Sequence, residues 1–172
     1  MARRYYRRRR YYRKRKIWSS NISKIQSTSQ SAQSGNFNNY ITLCENPVQS
    51  NSSISQKYTV KNIELSYQFE VATASVESLE NICVYIMYVP QGMDVTNSLV
   101  TYHPEYIMAY RYLGTPNDDG DNYRNPLFIK TRLSRTLNTG DRIMLVLNGY
   151  NQSTSYVSYN MFGIVRWWSK AN

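Results

Sequence analysis

The stretch YTVKNIELSYQFEV, residues 58–71, decides the fold class. In it Ile63, Leu65, Tyr67, Phe69 and Val71 alternate with Glu64, Ser66, Gln68 and Glu70. Successive side chains of a strand point to opposite faces, so a period of two describes a strand with one dry and one wet face. An amphipathic helix would space its apolar residues by three and four, and no segment keeps that spacing over three turns.

The same texture extends in both directions. Residues 82–89, ICVYIMYV, are apolar throughout and stopped by Pro90. That pattern suits a strand covered on both faces, with a short buried helix as the alternative. Residues 37–45 read as a strand ended by Asn46 and Pro47, and further strands are predicted at 106–113, 127–135, 141–149 and 155–168. Asn138, Thr139, Gly140 and Asp141 form a tight connection, and a weak eighth strand is predicted in 93–102. Long loops are expected from Gln91 to Pro104 and from Gly114 to Pro126. Many short strands separated by turn residues predict an all-β sandwich or barrel over 37–172.

Before the strands the composition changes twice. Residues 17–36 hold seven serines and three glutamines and predict a flexible linker, with Trp18 as an anchor. Residues 1–16, MARRYYRRRRYYRKRK, hold eight Arg, two Lys and no acid. The chain's formal charge is +10, so this arm carries all of it and the remainder balances eleven cations with eleven acids. Like charges repel and stay extended, so a disordered, nucleic-acid-binding arm is predicted.

The bulk numbers exclude several classes. About 156 residues beyond the arm bury enough surface for one core without staples. Cys44 and Cys83 lack any paired spacing, which predicts a reducing compartment and two thiols acting as small apolar residues. With His103 as the single histidine, neither a zinc site nor a catalytic triad finds its usual members. No metal, cofactor or catalytic residue is expected. No run reaches the length of a membrane span, and the residues after the arm do not form the apolar segment of a secretory signal. The Asn-x-Ser sequons at Asn21, Asn51 and Asn151 read as chance in a Ser/Asn-rich chain.

Three features resemble a known type: the Arg/Tyr arm at 3–16, the strand at 58–71, and the closing segments DRIMLVLNGY and YVSYNMFGIVRWW. Together they resemble the capsid protein of small circular single-stranded DNA viruses, the circovirus-like group. The resemblance implies an eight-stranded jelly roll, a closed icosahedral T=1 shell of about sixty copies, and arms pointing inward. It also implies a virion protein that packages circular single-stranded DNA and enters the host nucleus, with an import receptor reading the arm. The host-cell attachment receptor is left unidentified.

The chemistry of the arm suits that role. Arg3, Arg4, Arg7, Arg8, Arg9, Arg10, Arg13, Lys14, Arg15 and Lys16 supply cations, and the guanidinium fork grips phosphate bidentately. Tyr5, Tyr6, Tyr11 and Tyr12 can stack on unpaired bases of any sequence, worth about 1–3 kcal/mol each. Lys130, Arg132 and Arg135, with Arg142 nearby, form a second candidate cluster, against the plain reading of a solvated strand face. Residues 117–121, rich in Asp, lack a calcium-loop spacing and read as a turn. One of Trp167 and Trp168 should face inward and the other outward. The rival function is a cellular RNA-binding or ribosome-associated module with a basic tail.

Overall fold

Residues 58–71 form β3 (Tyr58–Val71), and the five apolar residues that alternate in sequence are all buried. Val60 is buried as well, three positions from Ile63. The extra residue is absorbed at Asn62, whose φ of 50° marks a bulge where the register with β8 (Val157–Ala171) shifts, two residues of β3 opposing Trp167. A computed structural model describes residues 17–46, 57–71, 78–96, 98–114 and 127–171. The other elements are β1 (Ser19–Ala32), β2 (Gly35–Glu45), β4 (Leu79–Val89), α1 (Leu99–Tyr102), β5 (Ile107–Gly114), β6 (Leu127–Leu137), β7 (Arg142–Asn151) and β8 (Val157–Ala171).

These strands make two antiparallel sheets, ordered β1-β8-β3-β6 and β2-β7-β4-β5. The pairs β1/β8, β2/β7, β3/β6 and β4/β5 are nested. Such nesting describes one long antiparallel hairpin, rolled so that successive pairs fall alternately into the two sheets. This is the eight-stranded jelly roll. Its core lies between the sheets and includes Leu65, Tyr67 and Phe69 from one and Ile82, Ile86, Leu145 and Leu147 from the other. The rings of Phe37 and Phe69 meet Tyr159 at 5.9 and 5.1 Å.

The uninterrupted apolar run of β4 has two reasons. Ile82, Val84 and Ile86 join the main core. Met87 and Val89, on the other face, join a second cluster with Met144, Val146 and Leu99. Met93, Val95 and Val100 complete that cluster, so the segment after β4 covers its own sheet.

Two expectations need correction. Residues 17–36 are not a linker, because β1 occupies most of them and pairs with β8 from Ser19↔Ser169 to Ala32↔Val157. As an edge strand β1 buries only Ile25 and Ala32 among its described side chains, so no apolar alternation betrays it. Its backbone groups are satisfied by the ladder instead. The eighth strand is thus β1, and not residues 93–102, whose apolar residues serve the second cluster around α1. The long loop after Gly114 and the acidic turn at 117–121 lie outside the described residues.

The connection between β6 and β7 is tied to its neighbours by Asp141, which is 3% exposed. Tyr88 Oη donates to Asp141 Oδ2 at 2.8 Å, the Gln91 backbone N–H to Oδ1 at 3.0 Å, and the Asn138 backbone N–H to Oδ2 at 2.8 Å. Burial by itself would raise this carboxyl, but the donors outweigh it and hold it below its ordinary value.

Candidate nucleic-acid interface

The arm, from Arg3 to Lys16, lies outside the described residues. Its root is defined: the Trp18 ring lies beneath two ammonium groups, Lys61 Nζ at 3.9 Å and Lys170 Nζ at 5.0 Å from its centroid. Both lysines come from neighbouring strands, Lys61 on β3 and Lys170 on β8.

They belong to a larger surface. Residues paired across antiparallel strands point to the same face. Ile22↔Arg166, Glu64↔Arg166 and Glu64↔Lys130 therefore form one row across all four strands of the first sheet, on the face turned from the core. Beside it, Lys24↔Ile164, Ser66↔Ile164 and Ser66↔Phe128 form the next row, and Ser20↔Trp168 and Lys61↔Trp168 lie on the opposite flank. Alternation places Arg132 and Lys170 on the same face, with Glu70 the second carboxylate. Among the described residues, six cations thus share this face with two carboxylates, a surplus of four. Phe128 and Ile164 are half exposed among them. A body that is neutral in sum is polarised in space.

The predicted cluster of Lys130, Arg132 and Arg135 is divided. Lys130 and Arg132 share the basic face as expected, but Lys130 Nζ is paired with Glu64 Oε1 at 2.5 Å. Arg135 points elsewhere: its Nη2 donates to the Glu105 carbonyl at 2.9 Å and its guanidinium lies 5.6 Å from the Tyr88 ring. Lys24, Lys61, Arg166 and Lys170 are additions that no local run announces, since each is flanked on both sides by uncharged residues. Their only sequence signal is the alternating phase of each strand. Trp167 packs against the core while Trp168 takes the outward position, as the alternation required.

The outer face of the second sheet differs. Its rows include Tyr40↔Val146, Tyr85↔Tyr110, Cys83↔Tyr112 and Asn38↔Asn148. Tyr40, Tyr110, Tyr112 and Tyr150 are exposed, and Tyr85 stacks on Tyr110 at 6.1 Å.

The remaining candidates are structural. His103 Nδ1 lies 3.0 Å from Glu105 Oε1, and its ring stacks on Tyr106. Burial, with Glu45 adding to it, pushes the Cys44 thiol up to about 12, and burial likewise raises Cys83. Among the described residues no three His, Cys, Asp or Glu side chains converge as metal ligands, and no helix is long and apolar enough to cross a membrane.

No protein-family model matches the sequence, and no curated protein matches it. Among solved structures, a chain of turnip yellow mosaic virus is similar at 13% identity with a TM-score of 0.44, over 90% of this chain and 93% of that one. A chain of desmodium yellow mottle tymovirus is similar at 11% identity and a TM-score of 0.40, over 90% and 89%. A chain of infectious bursal disease virus is similar at 15% identity and a TM-score of 0.35, over 87% of this chain and 32% of that one. The nested strand pairing, and not these distant likenesses, defines the fold.

Proposed function

We propose that the chain is a non-enzymatic viral coat protein that assembles into a closed icosahedral shell and packages circular single-stranded DNA. One observation carries this reading: a ten-cation arm enters a jelly roll at Trp18, on the edge of the sheet face that also gathers the body's surplus cations. Jelly rolls are a common coat-protein architecture, and about sixty such subunits close a shell. Each arm can neutralise about ten phosphates and sixty arms about 600, with counterion release driving the association. The basic face then forms the wall against which nucleic acid lies, and the tyrosine-rich face turns outward. DNA, the circular genome and entry into the host nucleus follow the circovirus-like resemblance, with the arm serving an import receptor as well.

The second reading, a cellular RNA-binding module, gains from the basic face, because such modules present cations and aromatics together. Electron microscopy of the purified full-length protein separates the two. Closed particles are expected, and the nucleic acid extracted from them should resist exonuclease but yield to DNase. Monomers bound to one defined RNA would overturn the coat-protein reading.

A further inference from the structure

A recess lies between β2, β7 and the turn carrying α1, on the side of the molecule away from the basic face. It measures about 400 Å³, within the range of small-molecule sites. Its lining includes the amide residues Asn36, Asn38 and Asn148 and the hydroxyl residues Ser98, Thr101 and Tyr102. None of its lining residues is charged. An ionic ligand would lose its hydration there without a counter-charge, so phosphates, carboxylates and amines are poor occupants.

One lining residue also keeps an unmet acceptor below the surface of the recess. Asn148 Oδ1 is buried and has no hydrogen-bond partner among the described residues. A buried acceptor in that state is costly, but it has no exposed surface and lies out of a ligand's reach, so contact falls to the other amide and hydroxyl groups of the lining. Each Asn amide offers a donor and an acceptor side by side, the pairing that two adjacent hydroxyls match. At the rim the Tyr102 ring is 74% exposed and gives a flat apolar surface. Polyhydroxylated, uncharged, with one C–H face to lay on a ring: these properties belong to a pyranose. We propose that this recess binds a neutral saccharide. The site lies within one chain and stands whether or not the protein forms a shell.

Saturation-transfer NMR on the full-length protein tests it, using the methyl glycosides of glucose, galactose, mannose and N-acetylglucosamine. At least one should bind, equally at about 0.15 M and about 0.5 M salt, because no charge is involved. Tyr102→Ala removes the ring and Thr101→Arg fills the recess. Both positions are exposed, so the fold should survive, which circular dichroism checks. Each variant should weaken binding about tenfold. Absence of binding by all four probes overturns the proposal, as does unchanged binding by both variants. Binding of heparin alone, abolished at high salt, would overturn it too by assigning saccharide contact to the cations.

Discussion

Lys61 Nζ stands 3.9 Å from the centre of the Trp18 ring, so the arm is fastened to the basic face by the second described residue of the chain. A cation over an indole is worth about 1 kcal/mol at a partly exposed site. Trp18→Ala should therefore lower the melting temperature by about 2–4 °C, read by thermal unfolding. An unchanged transition would mean that the ring is not held there.

The arm and the face can be separated by deletion. Removing residues 1–16 should leave the β-rich circular dichroism intact, because every core residue lies at or beyond Ile25. Single-strand binding should fall sharply yet remain measurable. In that shortened protein, Arg132→Gln with Arg166→Gln should flatten the slope of log K against log salt by about 0.7 per lost contact. A shortened protein with no residual binding would reduce the face to a solvated surface.

Within the arm, charge and stacking make different predictions. Replacing Arg7, Arg8, Arg9 and Arg10 with Gln should weaken binding and flatten the salt slope. Replacing Tyr5, Tyr6, Tyr11 and Tyr12 with Ser should leave the slope nearly unchanged and weaken single-strand binding far more than duplex binding. Equal losses on both substrates would make the tyrosines spacers.

Asp141 links stability to acid. Its folded pKa is depressed, so its contribution is fully present above the ordinary aspartate value near 4 and is lost as pH falls through the lower folded value. Asp141→Asn should show a shallower loss of stability below about pH 4 than the parent chain. Asp141→Ala removes the acceptor of four part-buried hydrogen bonds and should cost about 2 kcal/mol at neutral pH, measured by denaturant unfolding.

Gly163 is a packing constraint. A Cβ there would meet the Ser66 carbonyl oxygen at 2.6 Å and Tyr67 Cβ at 2.8 Å, and the first of these is backbone. Gly163→Ala should cost about 1–3 kcal/mol, and a neutral effect would show that β8 and β3 separate easily.

Legibility followed burial. β3 was readable because one face is dry and the other wet, and β4 because both faces are covered. β1 was not, since an edge strand with two buried residues is held by backbone pairing that side chains do not encode. Residues 93–102 misled for the opposite reason: Val95, Leu99 and Val100 are apolar to cover a sheet, not to join one. The arm's charge is contiguous and was visible at once. The basic face was hidden because Lys24, Lys61, Arg132, Arg166 and Lys170 come from four strands and cancel against acids elsewhere in any linear sum. Asn38 and Asn148 lay within predicted strands, but only the pairing of β2 with β7 sets them side by side.

The edge position of β1 also has a mechanical meaning. Any pull on a bound arm reaches the body at Ile17 and enters β1 at Ser19. A pull along the strand axis loads the whole ladder to β8 in shear, every rung at once. A pull across the axis would instead peel the rungs singly, beginning with Ser19↔Ser169. Trp18, pinned under Lys61 and Lys170, sits at the end where peeling would begin, and turns a zipper into a bolt.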